Sequence, residues 1–314
     1  MAEWLYEAGI GEARAALVAR DRIWKAEIEL DGSGPREGTV IGARLIDRPS
    51  NLVQLDSGAQ ALCENVPRNV TQGARLLVRI LREPIPELGR PKLARAAPAA
   101  EGAEPMEGPD LLGRILASDH PVRRLQPHEP DLIEQAGWSE LLEEAASGEI
   151  GFAGGALRMS VTPAMTLFDV DGPPPLGALA VQAAHAVART LERMRIGGSI
   201  GIDFPTLAGK AERQAVAEAI DAALPQPFER TAVNGFGFLQ VVRRRARPSL
   251  PELLRADPAG AAARALLRRI ERDPPSAPAE HRAASAVTAW LDARPALLAE
   301  LRRRTGRPIS ISAS

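Results

Sequence analysis

Three aspartates, Asp169, Asp171 and Asp203, are the residues whose type and spacing could do chemistry in this chain. They stand at the ends of two apolar runs, residues 165–170 and 200–204. In an extended strand, residues two apart point to one face and lie about 6–7 Å apart. Asp169 and Asp171 therefore share a face, while Phe168 and Val170 point into a core. On the later run Asp203 shares its face with Ser199 and Gly201, and Ile200, Ile202 and Phe204 take the other. If the two strands are neighbours, three carboxylates converge near the ends of a sheet. Such a cluster of like charges is costly unless something neutralises it. A hard divalent cation does so. Mg²⁺ takes oxygen ligands, keeps several waters and needs one or two carboxylates, the rest coming from a substrate phosphate. That set suits phosphodiester hydrolysis, where the metal activates water and stabilises transition-state charge. The plainer reading is that aspartates end strands as turn formers or helix caps, and Asp171-Gly172-Pro173 looks like such a turn. Spacing alone leaves both readings open and names neither metal nor substrate.

The elements that must position these residues are legible around them. Leu176, Leu179, Ala180, Ala183, Val187, Leu191 and Met194 fall on one face of a helix between the two strands, which Gly197-Gly198 should stop. A second amphipathic helix follows the later strand, and residues 236–242 read as a further strand. Strand, helix, strand, helix, strand predicts a sheet with covering helices. Upstream, residues 1–83 carry several short strands separated by turns, among them Asp31-Gly32-Ser33-Gly34-Pro35 and Asp56-Ser57-Gly58. That pattern predicts a small barrel of OB-like kind. Residues 84–110, rich in Pro and Ala, read as a loop or linker. Residues 111–147 look helical, interrupted by Pro121, Pro127 and Pro130. Residues 250–314 predict a helical connector and a small tail domain with two helices and a final strand.

Composition sets bounds on function. Of the 314 residues, 45% are apolar, enough for a substantial core, but only 4% are aromatic, so that core is mostly Ala, Leu, Val and Ile. A net charge of −1 argues against a chain that binds polyanions over its whole surface and leaves room for a local basic groove. Cys63 is the single cysteine, which excludes an internal disulfide and a cysteine-based zinc site. No basic segment followed by an apolar run opens the chain, and no apolar run reaches the roughly 18 residues of a membrane span. A soluble cytoplasmic protein without a membrane partner is expected. His185 lies among helical alanines and reads as a surface or packing residue. Gly154-Gly155 opens a strand rather than a phosphate loop, since no lysine-containing loop follows.

The residues around the aspartates resemble the ribonuclease E/G family. Phe168-Asp169-Val170-Asp171-Gly172 is similar to its first catalytic strand. Gln182-Ala183-Ala184-His185-Ala186-Val187-Ala188-Arg189 is similar to the helix, and Gly197-Gly198-Ser199-Ile200-Gly201-Ile202-Asp203-Phe204 to the second strand. Phe236-Gly237-Phe238-Leu239-Gln240, Arg243-Arg244-Arg245 and Pro248-Ser249-Leu250 look like the closing strand and basic segment. Arg82-Glu83-Pro84-Ile85 resembles the end of the family's S1 domain, and Arg304-Thr305-Gly306-Arg307-Pro308-Ile309 its small C-terminal domain.

The resemblance implies an α+β chain. An S1/OB-like β-barrel domain (1–93) and a linker with a helical segment (94–150) precede an α/β catalytic domain of mixed sheet and covering helices (151–250). A helical connector and small C-terminal α/β domain (251–314) complete it. The implied function is a Mg²⁺-dependent endoribonuclease cleaving single-stranded RNA by metal-activated water, in RNA processing or turnover; the alternative is a non-catalytic RNA-binding relative. Asp169 and Asp203 match the family's magnesium-binding aspartates. Asp171 matches a water-positioning asparagine, so here it would be a third ligand or water-orienting group. Asp257-Pro258-Ala259-Gly260 stands where the family has the cysteines of a zinc link. Zinc and a zinc-linked tetramer are therefore not expected, which leaves a metal-free homodimer. Residues 52–63 lack the aromatics that the family's barrel uses for base stacking, and the 5′-end sensor segment that should follow Leu93 is replaced by the Ala/Pro-rich stretch. RNA contact would then rest on Arg90, Lys92, Arg243, Arg244, Arg245 and Arg247.

Overall fold

The computed structural model describes every residue except Leu88 and Arg90. Strands β1 (Glu3–Ala8), β2 (Glu12–Ala19) and β3 (Arg22–Leu30) open the chain. Next come β4 (Val40–Asp47), β5 (Leu52–Leu55), β6 (Gln60–Cys63), β7 (Arg75–Arg82) and β8 (Ala94–Pro98). Helix α1 (Leu111–Leu116), strand β9 (Val122–Arg124) and helices α2 (Leu132–Gln135) and α3 (Trp138–Ser147) follow. The central region runs β10 (Glu149–Phe152), β11 (Gly155–Val161), β12 (Thr166–Asp171), α4 (Leu176–Arg193), β13 (Gly198–Asp203), α5 (Lys210–Ala223), β14 (Phe228–Arg230) and β15 (Phe238–Arg243). The end is α6 (Leu250–Ala256), α7 (Pro258–Arg272), β16 (Glu280–Ala283), α8 (Ser285–Asp292), α9 (Pro295–Thr305) and β17 (Ser310–Ala313).

The barrel is closed and five-stranded, in the order β4-β5-β6-β8-β7, consistent with an OB-like fold. Its interior is filled by alternating small and branched residues, among them Ala43, Leu45, Val53, Leu55, Ala61, Val78, Ile80, Ala94 and Ala96. Three expectations are corrected here. The first three strands do not join the barrel; with β9 they form a separate sheet in the order β3-β2-β1-β9. Nor is residues 84–110 all linker. Ala94 and Ala96 alternate inward as part of β8, and their small side chains fit the crowded barrel interior that the prolines around them seemed to deny. Within the stretch expected to be helical, β9 is a strand, pairing in parallel with β1 just after Pro121.

The central sheet has six strands in the order β10-β11-β12-β13-β15-β14. Only β12 and β13 are parallel, joined by the α4 crossover, and every other neighbour is antiparallel. Leu157, Met159, Phe168, Val170, Ile200, Ile202, Leu239 and Val241 point to one face and bury against Leu179, Ala180, Ala183, Ala184, Val187 and Leu191 of α4. Alanines on the helix let it sit close to the sheet. Burying a Leu or Ile there stabilises by about 1.5–3 kcal/mol each. The helix ends at Arg193, before the Gly197-Gly198 pair expected to stop it. Arg195 takes the left-handed conformation (φ 57°) and Ile196 N donates back to Leu191 O at 2.9 Å, so the backbone turns out of the helix two residues before the glycines. The last segment packs α7, α8 and α9 around Leu267, Ile270, Val287, Leu291, Leu301 and Ile309, with β16 and β17 parallel beside them. Among the described residues no helix is long and apolar enough to cross a membrane.

Candidate active site

Strand parity brings Asp169 and Asp203 together. They are register partners on the adjacent parallel strands β12 and β13, so their backbones stand about 4.8 Å apart with both side chains on the same face. That face is the one the helices leave uncovered, and both aspartates are exposed. The row continues across the sheet: Glu149 pairs with Arg158, Arg158 with Asp169, Asp169 with Asp203, and Asp203 with Phe238. Asp171 lies on the same face one step farther along β12, opposite Ala156 of β11. It has no partner on β13, which ends at Asp203. The structure thus sets two carboxylates side by side and the third one strand-step beyond them. Among the described residues no group of three or more His, Cys, Asp or Glu side chains is arranged to hold a metal ion.

Location in the fold marks this edge as a ligand site. The aspartates sit at the carboxyl ends of the two parallel strands, the usual ligand edge of such a unit. Helices α4 and α5 begin just beyond them and touch at their first turns, where a Cβ on Gly177 would stand 2.8 Å from Glu212. Arg158 supplies the local positive charge. It donates to Glu149 Oε1 at 3.1 Å, and that hydrogen bond, then the charges of Glu149, Asp171 and Asp169, push its pKa up. On the same face Gln240 donates to Ser199 Oγ at 2.9 Å, and the Phe238 ring covers Gly201, where any Cβ would lie 2.6 Å from it.

The donor chemistry fits a hard divalent cation. Two adjacent exposed carboxylates offer oxygen ligands only, and their open side leaves coordination positions for water and a substrate phosphate. Three cavities elsewhere among the described residues, beside α7, beside β3 and beside the arginines after β15, are lined without these aspartates. The site is an open edge suited to a chain laid across it rather than a small molecule enclosed by it.

The basic residues singled out in the sequence are placed elsewhere. Arg243 pairs with Gly198 at the far end of the β13–β15 ladder, five residues from the Asp203–Phe238 pair, or about 17 Å. Arg243 is engaged by Glu192, Arg244 and Arg247 by Glu37, and Arg245 by Glu252 at 2.7 Å. The run therefore ties the sheet to α4, the β3–β4 connection and α6; within it only Arg244 is largely exposed, at 72% of its side chain. Lys92 pairs with Glu87 at 2.5 Å and donates to Pro163 O at 2.7 Å, tying the β7–β8 connection of the barrel to the β11–β12 turn. Arg90 lies outside the described residues. Asp257, in the place of the zinc link, accepts from Gly260 N and from Trp290 Nε1 as the cap of α7. Cys63 is buried in the barrel, and burial first, then Glu64, pushes its thiol up to about 11. Sequence reasoning missed Arg158 and placed Phe236 in the closing strand, whereas it lies in the turn before β15, which begins at Phe238. The signal for Arg158 was present in the alternation of residues 155–161, which sets Arg158 opposite Leu157 and Met159.

No family model matches the chain. It is 30% identical over 118 residues to ribonuclease G of Escherichia coli, and equally to ribonuclease G of Salmonella typhimurium and of Haemophilus influenzae. Each match covers 32% of this chain and 23% of the relative, so the matched part spans under a quarter of the curated relatives' length. The similarity is thus to ribonuclease G, across about a third of this chain and under a quarter of those proteins.

Proposed function

We propose that this protein is a ribonuclease E/G-like endoribonuclease that hydrolyses phosphodiester bonds of single-stranded RNA with Mg²⁺. The observation that carries the reading is the in-register Asp169–Asp203 pair at the carboxyl ends of two parallel strands, on the sheet face left uncovered. Asp169 and Asp203 would hold the cation, which when bound supplies Lewis-acid activation for phosphodiester hydrolysis. Asp171 orients water or substrate from one step along the same strand, and Arg158 offsets the negative charge of the row. The open edge admits an extended strand without threading.

The test is cleavage of an end-labelled single-stranded RNA with and without Mg²⁺, for the native chain, Asp169→Asn and Asp203→Asn. Mg²⁺-dependent cleavage that falls at least about a hundredfold in either variant is expected, the scale of losing one transition-state charge contact. RNA binding without any Mg²⁺-dependent cleavage would sink the enzyme reading. It would favour a non-catalytic RNA-binding relative.

A further inference from the structure

The closed barrel, residues 40–98, contains no Phe, Trp or Tyr at all. Proteins that hold single-stranded nucleic acid combine backbone charge with aromatic rings on which bases stack. If the open edge binds RNA, its stacking surface must come from outside the barrel. Two aromatic side chains are strongly exposed: Trp24 at 58% and Phe236 at 84%. Trp24 is anchored through Nε1 to Ala19 O on β2–β3, in a different sheet from the carboxylates. Phe236 lies in the turn that leads into β15, two residues before Phe238, the register partner of Asp203.

That turn is built rather than slack. Asn234 Oδ1 accepts from Phe236 N at 2.9 Å and from Phe238 N at 3.0 Å, and Asn234 N donates to Phe238 O at 3.0 Å. Gly237 N donates to Asn234 O at 3.2 Å, and Phe204 N donates to Gly237 O at 3.2 Å, which fastens the turn to the residue after Asp203. Gly237 adopts φ +94° with its Cα against Phe204 O, where a Cβ would stand at 2.2 Å. Only glycine allows that approach. A large apolar ring is thus held in water on a backbone fixed by five hydrogen bonds, within about 12 Å of Asp203 Cα by chain geometry. An exposed ring of this kind gains nothing for folding, and burial against a flat apolar partner is what it offers.

We infer that Phe236 is a base-stacking platform that seats one nucleobase of single-stranded RNA beside the Asp169–Asp203 edge. This rests on the RNA reading proposed above and adds to it a positioning residue. Its backbone lies within about two nucleotide lengths of Asp203, so the ring would fix the register of the scissile phosphate over the carboxylates. Because every base has an aromatic face, the contact carries little sequence preference.

The experiment measures binding in EDTA, so that no cleavage occurs, of fluorescein-labelled oligoadenylate of about ten nucleotides and of the same length of abasic ribose-phosphate. The proteins are the native chain, Phe236→Ala and Phe236→Trp, each checked for fold by circular dichroism. Phe236→Ala should bind oligoadenylate roughly 5- to 100-fold more weakly, the range of one lost stack, while binding the abasic probe as the native chain does. Phe236→Trp should restore oligoadenylate binding. Equal affinities of the native chain and Phe236→Ala for oligoadenylate would overturn the platform and leave the RNA reading standing. A native chain that binds neither probe at low salt would overturn both. A change in sedimentation of Phe236→Ala with unchanged RNA affinity would assign the ring to self-association and overturn the platform.

Discussion

Asp171 tests how strictly the carboxylate geometry divides the work. It shares a face with Asp169, as alternation demands, but β13 ends before it can offer a partner. Asp171→Asn should therefore keep Mg²⁺-dependent cleavage within about tenfold of the native rate, whereas Asp203→Asn should not. Steady-state kcat/KM on single-stranded RNA checks this, and a loss in Asp171→Asn equal to that in Asp203→Asn would make Asp171 a full ligand. Arg158 illustrates what single residues cannot reveal alone. Its type is ordinary for an exposed strand position, and its meaning comes from standing between Glu149 and Asp169 in one row.

Elements meet at two places where a substitution has a definite consequence. In the turn before β15, Gly237→Ala must place a Cβ against Phe204 O from a left-handed backbone. The expected loss is about 1–2 kcal/mol or more, read from the urea midpoint, and RNA affinity should fall with it because Phe236 loses its fixed support. At the junction of β3, α1 and the segment after β15, Glu27 is almost enclosed. Burial alone would raise its pKa, but Arg195, Arg247 and Arg114 prevail and hold it below the usual carboxylate range. Arg247 shows the strain from the other side: burial first, then the neighbouring Arg195, brings it down to about 10. A depressed carboxylate contributes stability that is present above its unfolded pKa and lost as pH falls through the folded value. Thermal melts between pH 7 and pH 3 should show that loss setting in below about pH 4.5, and Glu27→Gln should flatten this part of the profile. An unchanged profile in Glu27→Gln would remove Glu27 as the cause.

Across the whole molecule, a buried ionic network joins the first sheet to the C-terminal helices. Glu7 and Glu12 receive Arg14, Arg268 donates to Glu7 at 2.9 and 3.0 Å and to Asp131 at 2.6 Å, and Arg264 donates to Glu12 at 2.9 Å. Breaking such a set from one side strands an uncompensated charge. Arg268→Ala should cost about 3–5 kcal/mol in chemical denaturation, far more than loss of the exposed Arg303–Glu300 pair, for which Arg303→Ala should change stability by less than about 1 kcal/mol. Equal effects would show that α7 and the first sheet do not unfold together.

Local pattern in the sequence determined the central strands, the covering helix and the face on which all three aspartates lie, because side-chain parity in a strand and apolar spacing in a helix are read within a few residues. It also carried three of the five barrel strands, β4, β5 and β7. Partnership across distance was decided by the tertiary structure. Strands β1 to β3 look like barrel strands by alternation, yet they pair with β9, since alternation specifies a half-buried face and not which face it meets. Ala94 and Ala96 read as linker until the barrel interior gives such small residues a place. The arginines after β15 look like a free basic patch until Glu37, Glu192 and Glu252 arrive from other elements to engage them. The candidate site divides the same way. The sequence by itself put Asp169 and Asp203 at strand ends, while only the parallel register, which depends on a crossover of more than twenty residues, set them side by side.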